Sequence, residues 1–407
     1  TMASAPSAAA EDKVGEKKKV VILGGGIIGC SIAYYLSKRG VAATIVERSK
    51  IAAAASGKAG GFLAGGWGDG TVTQSLHRES FKLHEQLAEE LGLETYRKIP
   101  TLSVAGGHKF NPAPMPVSWL DGKIASASVM DPGTAQVTPL ELCTALHAAA
   151  TAAGATTIYG EVTGVRLEER GDDDDAGSKV SGVEVAVNGE TMVIDADVCV
   201  VAMGPWSTRA STWFDIEVPM NGIKSVSLVY AASEAVRSEP AALFCAEDNN
   251  GCHLEVYPRS TGEVYICGCG GSDYVNEARL LPGGDCDRPE VIEPDMSRVK
   301  AASASFRGLS ESVGAAGPMR TQACMRPCPP DSLPIMGSVP GVEGAYMACG
   351  HNCWGILWAP VTGRIMSELV LDGESSIDLK AFNPGRFMRR ASKRGKTIKG
   401  VDVGEQW

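Results

Sequence analysis

No stretch of this chain approaches the ~20 consecutive apolar residues that a membrane-crossing helix requires, so no membrane span is expected. A basic surplus is also missing. Lys and Arg number 38 against 48 Asp and Glu, a formal charge of −10, and that balance argues against a nucleic-acid partner. Histidine is scarce, at 6 residues of 407, and 12 cysteines are too few for a disulfide scaffold. Most of them sit in apolar runs such as "DVCVVAMG" and "VYICGCGG", which reads as reduced, buried thiols. The opening "TMASAPSAAAEDKVGEKKK" lacks the apolar core of a secretory signal, its early acids weaken a transit-peptide reading, and the closing "GEQW" is not a peroxisomal address. A cytoplasmic location is expected, or an organellar one if an upstream leader was removed. No internal repeat is visible.

What the chain does have is a globular composition, 44% hydrophobic with 48 glycines, and enough length for two domains or one domain with a second inserted. Residues 18 to 47 read "KKVVILGGGIIGCSIAYYLSKRGVAATIVE". The run "KVVIL" has the continuous apolar character of a strand buried on both faces. It enters Gly24-Gly25-Gly26-Ile27-Ile28-Gly29, a G-x-G-x-x-G turn. An amphipathic stretch over 27–39 stops at Gly40, and a second strand ends in Glu47. Gly24 permits the tight turn, Gly26 a close phosphate, and Gly29 close packing of helix on strand. The free amides at Ile27 and Ile28 form a positive helix end for a pyrophosphate. Glu47, with Arg48 beside it, stands where an acid accepts hydrogen bonds from ribose hydroxyls, which disfavours a 2′-phosphate and therefore NADP.

A second segment, "GETMVIDADVCVVAMGPWSTR", ends a buried strand at Ala202, Gly204 and Trp206. With it the chain resembles the FAD-dependent oxidases of the D-amino-acid oxidase superfamily, in the branch with glycine oxidase and sarcosine oxidase. The resemblance runs over about 18–390. "AAAASGKAGGFLAGG" is similar to the family's loop beneath the isoalloxazine, which implies cofactor contacts at Ser56, Lys58, Ala59, Gly60 and Gly61. "VMDPGTAQVTPLELCTALHAAATAAGATTIYGEVTGV" resembles the loop, helix and strand that bring Val162 to adenine. "RPCPPDSLPIMG" and "GAYMACGHNCWGILWAPVTGRIMSEL" resemble the flavin-closing segment, which implies a loop of Gly350, His351, Asn352, Cys353, Trp354, Gly355 and Ile356 against the ring. A helix starting near Ile356 then aims its positive end at the ring, with Pro360 in or close to the first turn.

The implied fold class is α/β (α+β): a Rossmann-type FAD-binding domain with an inserted antiparallel-sheet substrate domain. The FAD-binding part is assigned to 17–70, 131–215 and 316–390, and the substrate part to 71–130 and 216–315. Residues 1–16 read as a disordered tail, 391–407 as a basic tail, and "ERGDDDDAGSKVSG" as a solvated hairpin loop.

The run "ACMRPCPPDSLPIMG" sets Cys324, Arg326 and Cys328 at alternating positions among Pro327, Pro329, Pro330 and Pro334, which argues against helix and against central strand. The family resemblance makes Arg326 the grip on a substrate carboxylate; the alternative is a loop tie from Arg326 to Asp331. Cys324 stands seven residues before Asp331, the spacing of a covalent flavin link in sarcosine oxidase, but Met325-Arg326-Pro327 follows the non-covalent glycine oxidase pattern. Both readings stay open, with non-covalent FAD preferred. Cys324, Cys328, Cys349 and Cys353 could together be read as zinc ligands, but structural zinc sites mostly use shorter spacings, and no metal is expected. His351 reads either as a base or as part of the flavin loop, the latter preferred. Trp354 stands where the family usually has a small residue or His, and is expected to narrow the site. The lysine that speeds oxygen use in sarcosine oxidase is replaced here by Ile266, with Lys58 the nearest substitute.

The expected activity is oxidation of the C–N bond of an amino acid or secondary amine by hydride transfer to flavin N5, with O2 or another electron acceptor. No His or Glu stands out as a base, which suits an amine bound neutral. The rivals are a 2-hydroxy-acid dehydrogenase using His253 and an FAD-binding regulatory protein with little turnover.

Overall fold

The computed structural model describes residues 18–107, 115–170 and 177–388. The expected terminal tails and the acidic run of the hairpin loop lie outside the described residues. The continuous apolar runs form one six-stranded sheet, in the order 335–338, 345–349, 198–201, 20–23, 44–47, 156–159. All neighbours run parallel except Ile335–Ser338, which is antiparallel to Ala345–Cys349. Alternate residues of these strands fill two different cores. Val20, Ile22, Ile45, Val198 and Val200 pack with residues of the helices Ile27–Ser37, Pro139–Ala152 and Gly355–Asp372. Val21, Leu23, Val46, Cys199 and Val201 instead meet Val180, Val183 and Val185 of a small sheet built on Ser178–Val187. Helices, parallel sheet and small sheet are therefore three stacked layers, and burial on both faces is why these strands show no polar alternation.

The second unit is a nine-stranded sheet in which the residues do alternate. Val256, Val264 and Ile266 pack under the helix Met296–Leu309, while Tyr257 and Tyr265 point to the opposite face with Ile99 and Phe62. The sheet was expected to be antiparallel. It is mixed, because Ala242–Cys245 runs parallel to Arg97–Gly106.

Two pieces sit differently from the domain division expected. The helix Gln74–Leu91, placed in the substrate part by its position in the chain, buries Leu76, Leu83 and Leu87 in the helical layer of the nucleotide part. Conversely, Arg320–Cys328 pairs antiparallel along Asn221–Tyr230, so the proline-rich run begins as an edge strand of the nine-stranded sheet. Pro327 is tolerated there because an edge strand leaves one side unpaired, and Pro329 and Pro330 follow the strand's end at Cys328.

The Gly355–Asp372 helix contains Pro360 as its sixth residue, close behind the first turn. Proline carries no N–H for the carbonyl of Ile356 four residues back. His84 Nε2 donates to Ile356 O at 3.0 Å and Leu357 O at 3.1 Å, and Ser80 Oγ accepts from Val361 N at 3.1 Å. Two residues one turn apart on the Gln74–Leu91 helix thus satisfy the backbone that the proline interrupts.

Candidate active site

One elongated cavity runs between the two sheets and brings most of the singled-out residues together: Gly24, Gly26, Ile27, Ile28, Glu47 and Arg48; Ser56, Ala59, Gly60 and Gly61; Val162; Ala202, Gly204 and Trp206; and Cys324, Arg326 and residues 350–356. Gly29 lies behind the wall. A Cβ there would stand 2.0 Å from Gly24 O, so its lack of a side chain is what lets helix and loop touch. Lys58 does not line the cavity; its Nζ donates to Ala323 O at 3.1 Å and ties the loop to the Arg320–Cys328 strand.

The nucleotide end is built from backbone. Gly24 adopts φ +109°, and a Cβ on it would meet Ala202 O at 2.5 Å. Ile27 N–H donates to Ser56 Oγ at 2.9 Å, so Ser56 caps the helix as well as lining the cavity. The Glu47 carboxylate accepts from Gly25 N and Ser49 N, each at 2.8 Å, while burial pushes its pKa up. Ile27 N–H is therefore not the free amide expected, but a bare glycine turn, a helix N-terminus and a cavity-facing carboxylate fit the diphosphate and ribose of FAD. Beside them lies a cluster not anticipated from the sequence. Glu161 takes Arg209 Nη1 at 2.7 Å and Arg48 Nη2 at 3.3 Å, and Arg48 Nη1 donates to Asp287 O at 2.9 Å. Trp206 Nε1 donates to Cys286 O at 2.9 Å, so the 284–289 stretch closes this end from the other unit.

At the far end the walls are side chains. Gly60 packs on the ring of Tyr257, where a Cβ would approach within 2.4 Å, and Tyr257 lies nearly parallel to Tyr265 at 6.1 Å between centroids. Trp354 lines this part of the cavity and meets His77 edge-on at 4.6 Å and Trp67 edge-on at 6.3 Å. Arg326 is half-buried, its Nε is buried without a hydrogen-bond partner, and it makes no ion pair among the described residues. The tie to Asp331 does not exist, because Asp331 takes Arg386 through Nε at 2.8 Å and Nη2 at 3.2 Å. The Cys353 thiol opens onto the cavity; burial pushes its pKa up to about 11, with the Arg326 charge pulling it partly back. Cys328 Sγ donates to Asn352 Oδ1 at 3.0 Å, and no group of residues among those described is arranged to hold a metal ion.

His351 is 2% exposed, its Nε2 lies 3.1 Å from Thr362 Oγ1, and burial lowers its pKa to about 3. It is therefore a neutral, hydrogen-bonded part of the loop at the start of the Gly355–Asp372 helix. The residue overlooked was Glu255. It lines the cavity, is 7% exposed, and accepts hydrogen bonds from the Tyr257 hydroxyl and, at 3.6 Å, the Cys267 thiol. The expectation of a site without a Glu is corrected by this side chain. The missed signal was an acid alternating with Leu254 and Val256 in "HLEVYPR", the pattern of a buried strand with one polar residue turned to a cavity.

Residues 19–369 match the family described as FAD dependent oxidoreductase. The chain belongs to this family. The FAD-dependent oxidoreductase is 29% identical over 89% of its length to a Schizosaccharomyces pombe protein named as an oxidoreductase, covering 97% of that protein. It is 26% identical to glycine oxidase of Geobacillus kaustophilus, over 91% of this chain and 97% of that one. The crystal structure of that glycine oxidase superposes with a TM-score of 0.70, covering 92% of this chain and all of the other at 24% identity, and supports the fold. No helix among its described residues is long and apolar enough to cross a membrane.

Proposed function

We propose that this oxidoreductase oxidises the C–N bond of a small amine that carries a carboxylate, an amino acid or its N-alkyl derivative. The observation that carries this reading is Arg326: a guanidinium in the cavity wall whose Nε has no partner and which no acid of the described chain neutralises in an ion pair. Its planar fork suits the two oxygens of a carboxylate better than an ammonium would. Glycine oxidase, whose name gives it such a substrate, is similar over nearly the whole chain.

Gly24, Gly26, Glu47 and Ala202–Gly204 would hold the diphosphate and ribose of FAD, with the 350–356 loop and Gly60 toward its ring. Bound FAD would supply the two-electron acceptor for the substrate's α-hydrogen. The chain's part is placement and field. Arg326 fixes the carboxylate, Trp354 and the stacked tyrosines exclude water, and the N-terminus of the Gly355–Asp372 helix presents positive potential to the cavity. FAD is retained without a covalent bond in this reading. Burial raises the Cys324 thiol, with Lys58 and Arg326 pulling it back, and acid precipitation is expected to leave the flavin in the supernatant.

His253 lines the same cavity, so hydroxy acids belong beside amines in the test. Under anaerobic conditions glycine, sarcosine, D-alanine and L-proline are mixed with the yellow protein, alongside glycolate and lactate. Bleaching of the flavin by an amino acid is the expected result. Bleaching by the hydroxy acids alone, or by none, contradicts the proposal.

A further inference from the structure

Arg326 and Glu255 line one cavity with opposite charges, yet the two do not form an ion pair within 4.0 Å. Their strands, Arg320–Cys328 and Glu255–Pro258, are separated in the sheet by Asn221–Tyr230 and Val264–Cys267. A substrate carrying only a carboxylate would satisfy the arginine and set a second anion against Glu255. A zwitterion matches both, its carboxylate to the guanidinium and its ammonium to the carboxylate.

We propose that Glu255 binds the substrate's ammonium group and accepts its proton. This rests on the reading of the site as an amino-acid oxidoreductase and assigns the group that prepares the amine. An N–H bond of the ammonium breaks, an O–H bond forms on a Glu255 carboxylate oxygen, and the nitrogen keeps the electron pair. That pair is what the nitrogen must contribute to C=N when hydride leaves the α-carbon. An ammonium has no such pair, so a site that attracts zwitterions needs a proton acceptor within it.

The surroundings of Glu255 suit the role. From its own strand the Tyr257 hydroxyl donates to it, and from the neighbouring Val264–Cys267 strand the Cys267 thiol does. Burial raises its pKa, while Tyr257, the Arg326 charge, Cys267 and His253 pull it partly back. Cys245 across the sheet, Cys269 beyond the next strand and Cys353 from the helix loop also face it; burial pushes the first two up to about 12 and the third to about 11. These thiols stay neutral near pH 7. Glu255 thus faces one permanent cation, Arg326, and a carboxyl held above its ordinary range in a dry wall is a better proton acceptor than a solvated one.

The test uses the FAD-loaded protein, wild type and Glu255→Gln, with flavin reduction followed anaerobically from pH 6 to 10 for the amino acids named above. Glutamine keeps the size and an oxygen for Tyr257. The variant is expected to reduce roughly 100-fold more slowly at pH 7 and to recover as the pH nears the pKa of the free amine, while Glu255→Asp restores part of the rate at pH 7. A second readout needs no turnover. Acetate, titrated against the visible flavin band, is expected to bind about tenfold more tightly to Glu255→Gln, because an opposing charge is gone. A purely structural glutamate would slow reduction equally at all pH values and leave acetate affinity unchanged, which overturns the assignment. A Glu255→Gln variant indistinguishable from an active wild type overturns it too, with the amino-acid reading intact. A wild type that no amino acid reduces overturns both.

Discussion

The two ends of the cavity are made of different material. The nucleotide end is a backbone surface: glycines at 24, 26 and 29, a helix end, and one carboxylate held by two amides. The substrate end is a side-chain surface, with Glu255, Tyr257, Tyr265, Arg326 and Trp354 contributed by three separate strands and a loop. A backbone surface tolerates no added atoms, whereas a side-chain surface can be changed while the scaffold stands. Substitutions at the first should therefore act on cofactor and fold, and those at the second on turnover.

The largest effect is expected at Gly29. A methyl group there must displace Gly24 O, 2.0 Å from the ideal Cβ, and backbone cannot yield as a side chain does. Gly29→Ala should lose about 3 kcal/mol or more of stability and emerge without FAD, measured by thermal melting and the visible spectrum. A yellow, normally stable Gly29→Ala protein would break the contrast at its firmest point.

Next comes the joint between the two ends, where His84 stitches the helix at Pro360. Burial lowers the pKa of His84 to about 4 from an ordinary value near 6.5. The unfolded chain then binds a proton that the folded chain refuses, so stability is complete above pH 6.5 and is lost as pH falls through about 4. The contribution is roughly 3 kcal/mol, and His351, whose pKa burial lowers to about 3, adds in the same direction. Melting temperature should decline between pH 6.5 and 4, and His84→Gln, which keeps a donor for Ile356 O but cannot titrate, should flatten that decline.

The smallest effect belongs to Glu47→Ala. It removes one or two hydrogen bonds to ribose, worth ~1–2 kcal/mol each, and the acceptor of Gly25 N and Ser49 N, so it should weaken FAD retention and lower the melting temperature of the apoprotein slightly. Equilibrium dialysis of FAD measures it.

The same contrast explains what could be read from the sequence. The glycine turn, Glu47 and the strand ending at Ala202 stood in contiguous runs because a strand, a turn and a helix are local structures. The inward turn of residues 350–356 was legible for the same reason. Glu255 was not, because its meaning depends on what shares its wall: Arg326 comes from Arg320–Cys328, far along the chain and with two strands between them in the sheet. The alternative tie from Arg326 to Asp331 could not be judged locally, because Arg386, the true partner of Asp331, is 55 residues away. Lys58 was aimed at the cofactor by its loop, and only the tertiary structure shows its Nζ spent on Ala323 O.

The measurement that bears most directly on the account is Arg326→Ala, with FAD content and anaerobic flavin reduction taken on the same sample. A charge-assisted bidentate contact sheltered from water is worth ~1.5–3 kcal/mol, so kcat/KM for an amino acid should fall roughly 10- to 200-fold while FAD content and melting temperature hold. Arg326→Lys should recover part of that loss, and an amine without a carboxylate should be nearly indifferent to either change. Loss of FAD or of stability with amino-acid turnover intact would show that Arg326 belongs to the scaffold, and would contradict the account.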